Sequence, residues 1–175
     1  LPIIETQAGD VSAYIPTNLV SITDGQVYVS PRLFRSGQLP AVDVGRSVSR
    51  VGGRAQQPAY LSVGGKLRLA YTQFEELERF TRYGARLEDE RRAQLERGRR
   101  VREVLKQQPS DPRSSLEQIA LLVAVTEGAL DDIDLEDIGT IEQRLRPRVG
   151  ELTDLVDALD RGDRLDADAR RSVVE

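Results

Sequence analysis

The first 57 residues have a hydrophobic pattern that differs from that of the rest of the chain. Their apolar residues form short β-branched clusters within 11–22 and 26–29, and these clusters are separated by Gly, Pro, Asp and Asn. Asp24-Gly25 stands directly before the second cluster, which indicates a turn between two strands. We therefore predict strands and loops for residues 1–57, as part of a sheet too small to be stable alone.

From about Lys66 onward, apolar residues recur every three to four positions, which is the pattern of amphipathic helices. The first such helix is predicted to end at Gly84. Further helices are predicted at about 87–107, 116–127 and 138–159, and from about 166 onward. The fold class predicted for the chain is therefore α+β, with the strands and loops in 1–57 and an all-α bundle of about five helices in 58–175.

Individual residues refine the helical pattern. Ser115, with Gln118 three positions later, matches a capping box that would start the third helix. That helix, Leu116 to Glu127, is apolar on almost every side, so we expect it to lie at the centre of the bundle. Pro147 falls inside the next periodic stretch and is expected to kink or split it.

Composition excludes several classes of protein. The chain contains neither Cys nor His, which excludes disulfides, the usual zinc sites and nucleophiles paired with His. Residues 1–57 hold five basic and four acidic side chains, and residues 58–175 hold twenty and twenty-five. Neither region therefore predicts nucleic-acid binding. No apolar run approaches the roughly 20 residues that span a bilayer, so membrane insertion is not expected.

The sequence also lacks a start residue and a phosphate-binding loop. It contains no Met and begins with Leu1-Pro2, so we expect a fragment or a processed piece of a longer protein. The one Gly-Lys pair, Gly65-Lys66, is followed by Leu rather than Ser or Thr. Any contact with nucleotide would therefore be made without a phosphate cradle in this chain.

Two clusters of charge have simple explanations. The acidic run 131–137 lacks the central glycine and the final glutamate of a calcium loop, so we interpret it as a solvated loop or an acidic contact patch. The four arginines within 97–102 are flanked by Glu96 and Glu103, and no aromatic residue lies nearby in the sequence. This pattern is typical of a solvated helix face. No metal site is predicted.

The segment around Ser47-Val-Ser49-Arg50 contains residue types that could form a functional site. Two hydroxyl residues alternate along an extended segment, an arginine follows, and Gly52-Gly53 allow a tight turn. An arginine at such a position can present a forked donor to phosphate oxygens, which phosphoryl transfer needs for charge stabilisation. An ordinary surface turn would account for the same residue types.

Longer motifs point to a known family. Residues 40–49, Pro-Ala-Val-Asp-Val-Gly-Arg-Ser-Val-Ser, resemble the signature of the alpha- and beta-type subunits of rotary ATPases. Ile4-Glu-Thr-Gln-Ala-Gly-Asp-Val-Ser-Ala-Tyr-Ile-Pro-Thr-Asn18 and Val48-Ser-Arg-Val-Gly-Gly53 are similar to the F-type alpha subunit in particular. The resemblance covers nearly the whole chain and implies that residues 1–57 end an α/β nucleotide-binding domain, while 58–175 form the C-terminal helical domain.

The resemblance also implies roles for single residues. Arg50 matches an arginine finger that reaches the γ-phosphate bound by an adjacent beta subunit, and Ser47 supports that phosphate site. Ser21 and Gly25 match interface positions near the same phosphate. Arginine fingers change turnover by about 10³–10⁵.

A second, non-catalytic nucleotide site is implied in the alpha subunit itself. Its adenine pocket would use Phe34, Pro40 and Gln107. Leu39 stands where the family commonly has Arg, and Pro109 where a second Gln is common, so this chain departs from the family at two positions of that pocket.

The resemblance further implies a setting in an alternating ring. The partners would be beta subunits and the gamma rotor shaft, with the acidic run 131–137 turned towards the shaft. ATP or ADP with Mg would bind the full subunit, and no cofactor is expected for this piece alone. The complex would be peripheral to a membrane, with its soluble sector on the cytoplasmic side in bacteria.

Two other interpretations remain open from the sequence. The chain could be an independent helical adaptor, with residues 1–57 as a partly ordered arm. It could also come from a catalytic beta-type subunit, although that type typically has Pro-Leu where this chain has Val44-Gly45.

Overall fold

The computed structural model describes residues 2–81 and 88–175. The chain separates into two compact units, 1–55 and 56–175. The predicted end of the first helix at Gly84 and the predicted start of the second at Leu87 lie outside the described residues.

The first unit combines one two-stranded ladder with short helices. Strands β1 (Gly25–Gln26) and β2 (Val48–Ser49) are antiparallel, and Gly25 lies opposite Ser49. The helices are α1 (Tyr14–Ile22), α2 (Pro31–Arg35) and α3 (Gly52–Ala55). A further antiparallel bridge joins Val29 to Val42.

The prediction of strands within 11–22 was wrong, because most of this stretch forms the helix α1. The side chains of Ile15, Leu19 and Ile22 follow each other at helical spacing, and this spacing prevails over the weak strand preference of β-branched residues. Pro16 lies in the first turn, where a missing N–H is tolerated. Thr17 donates through its hydroxyl to the carbonyl of Ala13, at 2.9 Å.

The predicted pairing across Asp24-Gly25 was also wrong. The segment before this turn is helical, so β1 pairs with β2 from more than twenty residues later. This ladder brings the Ser47–Arg50 segment next to the end of α1. The position of the candidate site therefore follows from a non-local pairing.

The second unit is an all-α bundle, as predicted. Its α-helices within the described residues are α4 (Pro58–Thr81), α5 (Asp89–Val104), α6 (Ser115–Thr126), α7 (Ile138–Leu145), α8 (Thr153–Arg161) and α9 (Ala167–Val174). Together with the short strands of the first unit, this confirms the α+β fold class. None of the described helices is long and apolar enough to cross a bilayer.

Helix α4 starts eight residues before its predicted beginning at Lys66. Pro58 occupies the first position, where its fixed φ angle favours a helix and its missing N–H is not needed. Gly64 and Gly65 both lie inside the helix, with open space where a Cβ would be. The interior of a long packed helix accommodates them at a modest energetic cost.

Helix α6 lies at the centre of the bundle, which confirms the prediction from its apolar character. Ile119, Ala120 and Val123 are completely buried, and the helix packs against α4, α5, α8 and α9. The capping box was predicted one residue too late. Ser114 accepts from the backbone N–H of Glu117 at 3.3 Å, and the Glu117 carboxylate accepts from the N–H of Ser114 at 2.6 Å.

This shift gives a direct stability test. Ser114→Ala should lower the free energy of unfolding by about 1 kcal/mol, because an amide at the start of α6 loses its hydrogen-bond acceptor. Ser115→Ala is the matched control, since Ser115 is the first helical residue and should tolerate Ala with little change. Urea denaturation followed by circular dichroism measures both. A larger loss for Ser115→Ala would contradict the observed cap.

Pro147 splits the next helical stretch, as predicted. Helix α7 ends at Leu145, a 3₁₀ turn spans Arg146–Glu151, and α8 begins at Thr153. The break turns α8 back onto α6 and α9. It also places Arg146 at the end of α7, beside the loop that follows α5.

The last helix is attached to the bundle by polar contacts. Arg170 of α9 donates to Glu127 at 2.6 Å and to the carbonyl of Ser62 at 2.9 Å. Burial opposes ionisation of Glu127, but its hydrogen bonds with Arg170 and Lys66 outweigh this effect and lower its pKa. The contacts join α4, α6 and α9 in one network.

Candidate functional site

The backbone of Arg50 is fixed at the end of the β1–β2 ladder. Arg50 directly follows β2, and its N–H donates to the carbonyl of Asp24 at 2.8 Å. Asp24 itself directly precedes β1. The ladder therefore continues by one hydrogen bond beyond β2. This bond fixes the backbone position from which the Arg50 side chain extends.

The side chain of Arg50 is exposed and weakly held. One guanidinium nitrogen donates to the carbonyl of Val20 at 3.4 Å, longer than the roughly 2.7–3.2 Å of a usual N–H···O bond. Among the residues that the structure describes, no carboxylate lies within ion-pair distance of it. Most of the five donors of this guanidinium are thus available to another group.

In the turn after Arg50, only one of the two glycines lies in close contact with a neighbouring residue. The hydroxyl of Ser49 accepts from the N–H of Gly52 at 2.8 Å, and a Cβ at Gly52 would lie 2.7 Å from that hydroxyl oxygen. Gly53 has open space at the same position. Of the two glycines, only Gly52 is therefore required by close contact.

Ser21 and Gly25 lie close in sequence to the atoms that hold Arg50. Ser21 is exposed near the end of α1, next to the Val20 carbonyl, and its hydroxyl donates to Asn18 at 2.6 Å. Gly25 has φ 156°, and a Cβ there would overlap the carbonyl oxygen of Val48. Only glycine fits this position without moving β2.

Ser47 is half-buried and its hydroxyl is already used within the loop. It donates to the carbonyl of Asp43 at 2.6 Å and accepts from the N–H of Tyr28 at 3.0 Å. These bonds join the two sides of the loop before β2. In this arrangement Ser47 supports the backbone that leads to Arg50.

The three candidate adenine contacts are divided between the two units, with Phe34 and Pro40 in the first and Gln107 in the second. Phe34 in α2 is 64% exposed, and Pro40 is exposed after a cis Leu39–Pro40 bond. Leu39 is 37% exposed, so an apolar side chain takes the place where the family pattern has a cation. Gln107 belongs to the second unit and follows the end of α5.

Gln107 lines a cleft with a volume of about 280 Å³ between the end of α5 and α7. Ile138, Gly139 and Gln143 form part of the opposite wall. Apart from Gln108, the remaining lining side chains are charged and paired with one another, which distinguishes this cleft from a purely apolar cavity. Gln107 was predicted from the sequence, whereas the charged residues around it were not.

Arg113 is the central member of this charged group. Its guanidinium donates to the carbonyls of Val104 at 2.6 Å and Lys106 at 2.7 Å, and it forms a two-bonded ion pair with Glu142. The side chain is only 10% exposed. No local pattern indicated this group, because Arg113 and Glu142 are 29 positions apart in the sequence.

Arg146 extends the network to the other end of the same loop. It donates to the two carboxylate oxygens of Asp111 at 2.7 and 3.0 Å and lies 3.0 Å from Glu117. The hydrogen bond with Arg146 lowers the pKa of Asp111. Glu142 is 3.5 Å from Arg146, so the two ion pairs are connected.

No metal site is evident in the parts of the chain that the structure covers. Within residues 2–81 and 88–175, no three acidic side chains converge on a point where a cation could bind. The acidic run 131–137 instead contributes Asp131 to an ion pair with Arg97, and the Ile133 carbonyl accepts from Arg100 at 2.9 Å.

Comparison with known sequence families identifies the class of protein. Residues 56–175 match the ATP synthase alpha/beta chain, C terminal domain, and residues 1–49 match the ATP synthase alpha/beta family, nucleotide-binding domain. The chain belongs to the ATP synthase alpha/beta family. The match of both regions to one family does not fit an independent helical adaptor.

Individual relatives identify the subunit type. The chain is 57% identical to "ATP synthase subunit alpha 2" of Syntrophus aciditrophicus (strain SB), over 100% of the chain and 34% of that protein. It is 56% identical to "ATP synthase subunit alpha 1" of Rhodopirellula baltica, over 95% of the chain and 33% of that protein. The corresponding protein of Marinomonas sp. (strain MWYL1) is 55% identical, over 100% and 34%.

These relatives place the sequence in the C-terminal region of the ATP synthase alpha subunit, as its motifs predicted. The alternative of a beta-type fragment is not supported, because these relatives are alpha subunits. The chain spans about a third of the length of the curated relatives it matches.

Proposed function

We propose that this chain acts within an ATP synthase catalytic ring, where Arg50 is supplied in trans to the nucleotide site of an adjacent beta subunit. The proposal rests on the contrast between the fixed backbone of Arg50 and its weakly held side chain. Its backbone is anchored by a 2.8 Å hydrogen bond, while its exposed guanidinium makes one weak contact among the residues that the structure describes. A hydrogen-bond donor that is held in position, but has no strong acceptor within its own chain, can stabilise charge on a neighbouring molecule.

Ser21, Gly25 and Ser47 support Arg50 in this proposal. Gly25 allows the close approach of β1 and β2, and Ser47 fixes the loop before β2. Ser21 presents an exposed hydroxyl one residue from the carbonyl that contacts Arg50. Gly25 and Ser47 would thus position the arginine, and Ser21 would lie at the same interface near the phosphate.

The proposed partners are beta subunits and the gamma rotor shaft, in a sector peripheral to a membrane and coupled to proton or sodium transport. Residues 1–57 would complete the nucleotide-binding domain, and residues 58–175 would form the helical domain. ATP or ADP with Mg would bind through the full subunit. The adenine of the non-catalytic site would contact Phe34, Pro40 and Gln107.

A transition-state trap tests the role of Arg50. Mg-ADP with aluminium fluoride mimics the transferring phosphoryl group, so its binding depends on groups that stabilise the transition state. A ring that carries Arg50→Ala in the complete alpha subunit should bind Mg-ADP normally but lose tight trapping with fluoride. Rings with Arg54→Ala serve as the control and should trap normally. Equal trapping by both variants would contradict the proposal.

A further inference from the structure

The loop that follows α5 is held at both ends by one ionic network. At its start, Arg113 binds the carbonyls of Val104 and Lys106, and at its end, Arg146 binds the carboxylate of Asp111. Both arginines also contact Glu142 of α7. The intervening residues, including Gln107, are therefore fixed relative to α7.

The contacts of Arg113 have a specific structural purpose. The last carbonyls of a helix lack partners within the helix, and a cation there is favourable both as a donor and by its charge. Arg113 supplies this cation, and every one of its guanidinium nitrogens has an acceptor. Lys106 shares a peptide unit with Gln107, so the bond to the Lys106 carbonyl orients the backbone from which the Gln107 amide extends.

We propose that Arg113, held by Glu142, is a positioning residue for the amide of Gln107 and thereby sets the affinity of the non-catalytic site for adenine nucleotides. This inference rests on the proposed adenine contact of Gln107. Side-chain amides recognise adenine through directional hydrogen bonds, so a displaced backbone weakens binding even when the amide is retained. Because Pro109 stands where the family pattern has a second Gln, the pocket would lack that second contact and depend more strongly on the placement of the Gln107 amide.

The experiment uses the assembled ring with the complete alpha subunit and an azidoadenine triphosphate as the probe. The covalent label on alpha and on beta is quantified separately as a function of probe concentration. Gln107→Ala and Arg113→Met should each weaken the labelling of alpha about tenfold and leave that of beta unchanged. Arg148→Met is the matched control, since Arg148 is exposed and pairs only with the nearby Glu151 among the described residues.

A double-variant cycle separates positioning from general destabilisation. If Arg113 acts through Gln107, the variant with both changes should bind no more weakly than Gln107→Ala alone. Additive losses would overturn the inference. Should Arg113→Met fail to assemble, Glu142→Gln keeps the size of the partner side chain, removes its charge, and should shift the labelling of alpha in the same direction.

The outcomes also separate this inference from the proposed function. Weakened labelling with Gln107→Ala but unchanged labelling with Arg113→Met and Glu142→Gln overturns the positioning role alone. Unchanged labelling with Gln107→Ala overturns both the adenine contact and the positioning role, and leaves the role of Arg50 standing. Weakening by Arg148→Met equal to that by Arg113→Met would likewise overturn the positioning role.

Discussion

Arg50→Ala in a reassembled ring should cut the turnover of ATP by about 10³ or more, while the beta subunits still bind nucleotide. The guanidinium is exposed and carries donors that no neighbour within residues 2–81 and 88–175 uses, so its removal should take away an interaction with the transition state and little else. Its one contact within the described residues, to the Val20 carbonyl, is too long to contribute much to stability. Steady-state hydrolysis and nucleotide titration measure the two effects separately.

Two variants sharpen this test. Arg54→Ala removes another exposed arginine four positions later and should leave turnover unchanged. Arg50→Lys keeps the charge but loses the planar fork, so it should restore only part of the activity. A loss below about tenfold for Arg50→Ala would remove Arg50 from the mechanism, because a trans-acting arginine finger contributes far more.

Gly98→Ala should lower the free energy of unfolding of the helical unit by about 1–3 kcal/mol, although Ala is the better helix former. Gly98 is buried where α5 crosses α4, and a Cβ there would overlap the Cβ and ring atoms of Phe74. Phe74 is 1% exposed, and Arg102 covers its ring at 4.3 Å while binding both oxygens of Glu78. The ring therefore has no free space into which it could move.

The same helix pair offers the matched control. Gly64 of α4 has open space where a Cβ would be, so Gly64→Ala should stabilise the unit by up to about 1 kcal/mol through helix propensity alone. Urea denaturation followed by far-ultraviolet circular dichroism gives both values. A stabilising effect of Gly98→Ala would mean that α4 and α5 do not pack as closely as described.

Features with a local cause could be predicted from the sequence. The apolar spacing of 116–126 predicted a buried central helix, and Pro147 predicted the break between α7 and α8, because both depend on residues within a few turns. The capping box was displaced by one residue, since Ser114 and Ser115 are both suitable caps with an acceptor side chain three positions later. Helical spacing within 14–22 was obscured by β-branched residues, whose strand preference is weak.

Features that depend on residues far apart could not be predicted. Three such features join positions more than twenty residues apart. They are the pairing of β1 with β2, the close approach of Gly98 to Phe74, and the ion pair of Arg113 with Glu142. Each is determined by packing, and none leaves a periodic trace in the sequence. Arg50 was identified by its motif and by family resemblance, whereas the freedom of its guanidinium required the structure.

The ladder beside Arg50 has a mechanical consequence. Asp24 lies two residues after α1, and its carbonyl anchors the backbone of Arg50. A rotation or a small slide of α1 would therefore move the backbone of Arg50, and with it the point from which the Arg50 side chain extends. Ile15 and Ile22, which are 62% and 77% exposed, form part of the surface of that helix. A neighbouring molecule that displaced α1 through this apolar surface would therefore shift the Arg50 backbone without contacting Arg50.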